Sequence, residues 1–107
     1  METETETTRR IDIAAEPDEV WEALTTDEGR ERWLEDDPGR EIVVESEDAP
    51  SRLVWWWWRD DEAPTRVEFL VVPVETGTRV VVTERAPSVP LARLARACAR
   101  GGALVAA

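Results

Sequence analysis

Ile11-Asp-Ile-Ala-Ala-Glu-Pro17-Asp-Glu-Val20-Trp21-Glu-Ala-Leu24-Thr25-Thr-Asp-Glu-Gly-Arg-Glu-Arg-Trp33 reads as a strand, a turn and two short helices. Ile11 and Ile13 alternate with polar residues, the period of a half-buried strand. Pro17 marks a helix start, because the first helical position has no use for the N–H that proline lacks. Asp18 and Glu19 then place negative charge in the first turn, where the helix dipole favours it. Val20, Trp21 and Leu24 fall on one helical face at three- and four-residue spacing. Thr25-Thr-Asp-Glu28 has the form of a capping box, which predicts that a second helix restarts there. Trp33 and Leu34 are its apolar anchor, and the acidic run before Pro38 stops it.

Strands and turns follow in a regular run. Residues 8–14 form the first strand, and residues 1–8 read as a disordered acidic tail ahead of a single domain over 9–107. The second strand is expected over 40–47, alternating in part through Ile42 and Val44. The third covers 52–59. The fourth covers 65–74, with Val67, Phe69 and Val71 on one face. The fifth covers 78–85. The Pro- and Gly-bearing stretches 35–39, 47–50, 60–64 and 75–77 are the turns between them. Pro87 and Pro90 end the last strand and open a C-terminal helix. The order is β-αα-ββββ-α, an α+β chain, and consecutive strands on short turns imply an antiparallel sheet.

Composition narrows the chemistry. The chain has 107 residues, enough for one domain with one modest core. Its net charge of −11, from 24 acids and 13 bases, argues against a nucleic-acid partner or an anionic membrane surface. There is no His, Lys, Tyr, Asn or Gln. No imidazole is present as a general base, and no Lys as a nucleophile or Schiff base. Cys98 is the lone cysteine, so no internal disulfide forms. No apolar run has the length of a membrane span, and the N-terminus lacks the apolar core of a signal peptide. A cytoplasmic location is the simplest expectation.

The segment from Ile11 to Trp33 resembles the helix-grip superfamily of START-like (SRPBCC) domains, polyketide cyclase-like proteins and homologues of the Hsp90 ATPase activator. The pattern that carries this is Ile-x-Ala-x-x-Pro-x-x-Val-Trp-x-Ala-Leu-Thr, followed by a Trp one short helix later. Ser51-Arg-Leu53-Val-Trp-Trp-Trp57 is a second match. Thr65-Arg-Val67-Glu-Phe69 through Gly77-Thr78-Arg79-Val80 to Glu84 resembles the last hairpin. These matches run in the family's order over most of residues 9 to 85. The resemblance implies a curved antiparallel sheet with the C-terminal helix across its concave face. The region between the helix pair and the Trp strand is shorter than is usual there, so the sheet is expected in a shortened form. The superfamily has no shared catalytic motif, and a fold does not fix a function.

Trp55-Trp-Trp-Trp58 divides between two faces. Leu53, Trp55 and Trp57 belong to one, and Val54, Trp56 and Trp58 to the other. The first set suits either an aromatic ligand cavity or indoles that fill the grip, and the small residues Cys98, Gly101 and Gly102 opposite favour the filling indoles. Candidate cavity residues are Trp21, Trp33, Trp55, Trp57, Phe69, Leu94 and Cys98. On the other face, Trp56, Trp58 and Leu70 are candidates for an interaction surface, a homodimer contact or a protein partner. In the C-terminal helix, Leu91, Leu94, Cys98 and Val105 share an apolar stripe, and Arg93, Arg96 and Arg100 a basic one.

No metal site is expected, since His is absent and Cys occurs once. Glu35-Asp36-Asp37 and Asp60-Asp61-Glu62 read as solvated turns rather than cation sites. No phosphate-binding Gly loop is present, and no cofactor is implied. The reading is non-enzymatic binding of a hydrophobic small molecule or a partner protein in or around the grip. One alternative is a cyclase- or dehydratase-type enzyme. It needs a buried carboxylate or Arg on the concave face, where the strands offer mostly Val, Trp, Phe and Thr. Another is a co-chaperone-like interaction module.

Overall fold

A computed structural model describes residues 6–34, 40–59, 62–85 and 89–102, with side chains placed as far as Ala99. The order is β1 (Thr7–Ile13), α1 (Pro17–Thr25), α2 (Asp27–Leu34), β2 (Arg40–Asp48), β3 (Arg52–Arg59), β4 (Thr65–Val74), β5 (Gly77–Glu84) and α3 (Leu91–Gly102). All neighbouring strands pair antiparallel, in the order β1-β5-β4-β3-β2. This is the helix-grip arrangement that the resemblance implied, with β1 and β2 at the two edges of the sheet. β1 begins at Thr7, which pairs with Glu84, so two residues assigned to the acidic tail are strand. Residues 1–5 lie outside the described residues.

Period-two alternation builds the inner face. Ile13, Thr78, Val80, Val82, Val67, Phe69, Val71, Leu53, Trp55 and Trp57 all point inward and are buried. Gly77 turns β4 into β5 at φ 147°, where a Cβ would sit 2.2 Å from the Ile13 carbonyl oxygen. That close approach under a positive φ requires glycine.

The helix pair closes over this face through specific bonds. The Glu16 backbone N–H donates to the Glu19 carboxylate at 3.2 Å and fixes the start of α1. Thr26 ends α1 and begins α2. Its N–H donates to the Glu22 carbonyl at 3.1 Å, and its hydroxyl accepts the Gly29 N–H at 2.9 Å. The expected capping box was thus one residue early: Thr26 is the cap, and the third helical position is Gly29, not Glu28. Gly29 fits because a Cβ there would lie 2.5 Å from the Glu22 carbonyl oxygen. The Trp33 indole N–H donates to the Ala23 carbonyl at 2.8 Å, tying α2 to α1. α3 adds Leu91, Leu94 and Cys98 to the same core, and the Arg93 guanidinium reaches the Trp33 carbonyl at 3.4 Å.

The second strand keeps its expected alternation through Ile42 and Val44 and departs from it just after them. Val44 pairs with Trp55 and Ser46 with Val54, so Glu45 is an extra residue in a β-bulge. Val44 stays on the inner face but is 40% exposed, on the edge strand of the sheet. The bulge turns Glu45 to the outer face, where it joins Trp56 and Arg66. A bulge carries no composition signal here, as Val-Val-Glu-Ser contains no glycine.

Candidate functional site

Four of the seven cavity candidates meet as one aromatic cluster. Trp55 is its centre, 4.7 Å from Phe69, 5.4 Å from Trp57 and 6.5 Å from Trp33 between ring centroids. β3 supplies Trp55 and Trp57 on alternate positions, β4 supplies Phe69, and α2 lowers Trp33 onto them. Edge-on and offset contacts of this kind add roughly 0.5–1.5 kcal/mol per pair beyond burial. Leu94 and Cys98 are buried on α3 in the same core, and Trp21 packs on it half-buried. Burial pushes the Cys98 thiol up to about 11 against the opposing pull of Arg32, so it stays a neutral, unreactive filler at pH 7.

The cluster has two polar loose ends. Trp33 bonds through its indole nitrogen, but Nε1 of Trp55 and Nε1 of Trp57 are buried with no partner among the described residues. Two guanidinium groups lie against the same rings. Arg40 covers Trp57 at 4.1 Å from the ring centroid, and Arg30 lies 5.6 Å from that of Trp55. Arg30 is anchored to the Leu24 carbonyl at 2.9 Å. Beside Trp57 and Trp55, across the strand pair, stand Ile42 and the part-exposed Val44. This corner of α2, β2 and β3 therefore combines aromatic faces, an apolar open edge and hydrogen-bond donors.

The inner face also holds a charged pair that the sequence reading missed. Glu84 is 2% exposed, and its carboxylate accepts from Arg9 at 2.5 Å and from the Val89 N–H at 3.4 Å. The same Arg9 nitrogen donates to the Val89 carbonyl at 2.9 Å. A buried carboxylate and an Arg thus do occur on the concave side, contrary to expectation. Strand parity contained the signal: Glu84 lies two residues beyond Val82, and Arg9 two before Ile11. The pair ties the residue before Pro90 to the sheet. It sits two strands away from Trp55, in the row Trp55, Val67, Glu84.

The three surface candidates share the outer face without forming one patch. Trp56 is 38% exposed and Trp58 half-buried on β3, while Leu70 is exposed on β4. Trp56 pairs with Arg66, and Leu70 with Arg52, four residues apart along the ladder. Between them run ion pairs. Glu45 accepts from the Trp56 indole at 2.7 Å and from Arg66 at 3.0 Å, and Arg52 bonds Glu68 at 2.7 Å. The Arg66 bond, then the Trp56 bond, holds the Glu45 carboxyl below its ordinary value. Val54 lies beneath this network and is buried, although it points outward.

No group of acidic or cysteine side chains suited to a metal ion occurs among the described residues. The acidic turns at 35–37 and 60–61 lie outside them, as do Val105 and the side chain of Arg100. No helix among the described residues is long and apolar enough to cross a membrane.

Comparison with solved structures supports the fold. DynU16, a protein of the dynemicin biosynthetic locus, superposes with a TM-score of 0.74 at 19% identity over 91% of this chain. This chain spans 48% of DynU16. NE0264 from Nitrosomonas europaea matches at TM-score 0.71 and 12% identity, covering 94% of this chain and 98% of that one. The Aha1 dimer from Colwellia psychrerythraea matches at TM-score 0.65 and 21% identity, covering 86% of each chain. At these identities the likeness is one of fold. No family model matches the sequence, and no curated protein matches it.

Proposed function

We propose that this chain is a non-enzymatic binding domain that takes a hydrophobic small molecule at the corner of the grip made by α2, β2 and β3. The observation that supports this most is the pair of unpartnered indole N–H groups on Trp55 and Trp57. A buried donor without an acceptor costs about 1–3 kcal/mol. Such groups are rare in native cores, and two on touching rings are an expensive way merely to fill space. A bound molecule with an acceptor oxygen would satisfy them. Ile42 and Val44 continue the same face outward and give the molecule an apolar edge to enter by.

The enzyme alternative requires an available acid. Glu84 is the buried carboxylate of the inner face, and its oxygen is already engaged by Arg9 and the Val89 N–H. Those bonds tie the chain just before α3 to β1 and β5, and this weighs toward binding rather than catalysis. The partner-surface reading has less support, because Trp56 and Leu70 are parted by the Glu45–Arg66 and Arg52–Glu68 pairs.

The test is a titration of the protein with a panel of apolar ligands, read by tryptophan fluorescence and by the indole N–H signals in an NMR spectrum. A saturable change that moves the Trp55 and Trp57 signals, assigned through Trp→Phe variants, is the expected result. A panel that leaves both signals in place would remove the proposal.

A further inference from the structure

Among the described residues, four of the five large apolar side chains that stay exposed lie on the outer face of the sheet: Val43, Trp56, Leu70 and Val72. They form two spots. Val43 stands directly across from Trp56 on the β2–β3 ladder, and Leu70 and Val72 follow each other on β4. Trp56 is level with Arg66, so Leu70 lies four residues further on, roughly 13 Å along the strand. The same face is nearly neutral. Its arginines are Arg10, Arg52, Arg66 and Arg79. Its acids are Asp12, Glu41, Glu45, Asp48 and Glu68, one more than the bases, in a chain whose net charge is −11. α1 and α2, on the opposite side of the sheet, carry six acids against Arg30 and Arg32. Repulsion between two copies is therefore weakest where they approach through their outer faces.

We infer that this face is the contact between two copies of the chain, related by a two-fold axis that crosses the face midway between the two spots. The ion pairs that part Trp56 from Leu70 prevent one continuous apolar patch, and a second copy does not need one. A two-fold contact places one residue on another and the second on the first. Here it sets Trp56 on Leu70 of the second copy and Val43 on its Val72, twice over. This contact does not depend on any ligand in the grip.

The charges between the spots agree with that arrangement. On the β2–β3 side of the line from Trp56 to Leu70, Glu45 stands beside Trp56 and Arg52 beside Leu70. On the β4 side the signs are inverted: Arg66 is level with Trp56, and Glu68 comes next towards Leu70. Exchanging the two ends brings Glu45 over Arg52 of the second copy and Arg66 over its Glu68. Each copy already holds the pairs Glu45–Arg66 and Arg52–Glu68, so the contact joins them into one network of alternating sign. A two-fold axis along the line itself would match the charges too. It would set Trp56 on Trp56 and carry Val43 and Val72, which lie on the same side of the line, away from any apolar partner. Only the crossed axis covers all four exposed side chains.

Sedimentation velocity of the full chain across the micromolar range tests this, with variants at the two most exposed of these side chains, Val43→Lys and Val72→Glu. The wild type should sediment as a dimer. Each variant alone should keep its fold by circular dichroism and associate about tenfold more weakly or worse. Mixed one to one, the two variants should recover association. In the mixed pair one contact sets the introduced Lys on the introduced Glu, and the other keeps Val43 on Val72. The reciprocal pair, Val43→Glu with Val72→Lys, repeats the test with the signs exchanged. A wild type that stays monomeric leaves the outer face to solvent or to a different partner and overturns the inference. A dimer that neither variant weakens overturns it as well, since the contact then lies elsewhere. A dimer that both weaken, with no recovery in either mixture, rules out the crossed axis.

Discussion

Trp57 concentrates the chemistry of this molecule into one side chain. It touches Trp55, carries Arg40 on its face, and buries an indole nitrogen with nothing to bond. Its two roles, packing and donation, are separable by substitution. Trp57→Ala should cost about 3–5 kcal/mol of unfolding free energy, the usual range for deleting a large buried aromatic. Trp57→Phe should cost clearly less, because it removes the unpaired donor along with part of the ring. Urea unfolding followed by circular dichroism checks both. Equal costs for the two variants would mean that the Nε1 atom is better solvated than its burial suggests. The contrast with Trp33 sharpens the point. Trp33 spends its indole N–H on the Ala23 carbonyl, so Trp33→Phe should be penalised for leaving that carbonyl unpaired.

The cross-strand ladders show what an element contributes beyond its core face. On the outer side, Asp12 of β1 bonds Arg79 of β5 at 2.7 Å, and Glu45 of β2 bonds Arg66 of β4 at 3.0 Å. The Arg79 hydrogen bond holds the Asp12 carboxyl below its ordinary 3.8, and the Arg66 bond holds Glu45 below its ordinary 4.5. Both folded values are depressed, so unfolding releases carboxylates that bind protons more readily. The stabilisation is complete above 4.5 and is lost as pH falls through the lowered values. Urea midpoints should therefore fall on acidification below about 4.5, the ordinary Glu value, with less steepness in Glu45→Gln and in high salt. An identical acid slope in Glu45→Gln would show that the Arg66 pair contributes nothing. These ladders also mark the boundary of what the sequence discloses. Period-two alternation assigned Trp55, Trp57, Phe69 and Trp56 to their faces, because every strand but one keeps unbroken register. The exception is β2, where an unannounced bulge at Glu45 shifts the register just after the alternating Ile42 and Val44. Arg9 and Glu84 were within reach of the same parity rule, but charged residues at strand ends look like solvated termini until their partner is known. The orphan indole nitrogens could not be read from sequence at all, since satisfaction depends on three-dimensional neighbours.

Across the whole molecule, attraction and repulsion between charges compete, and magnitude decides which one dominates. Contact pairs such as Arg79–Asp12 and Arg66–Glu45 sit on the surface, where solvent leaves each pair little net stabilisation. Against them stand 11 surplus negative charges on a chain of 107 residues. A folded chain holds those charges closer together than an unfolded one does, and the repulsion acts over distances that salt screens well. Contact pairs at hydrogen-bond distance are screened less. Raising salt at pH 7 should therefore raise the thermal midpoint, because it relieves the surplus repulsion faster than it weakens the pairs. The increase should shrink as the solution is acidified and the net negative charge falls. A midpoint that falls with salt at pH 7 would reverse the ranking and make the outer ladders, rather than the core alone, a principal support of the sheet.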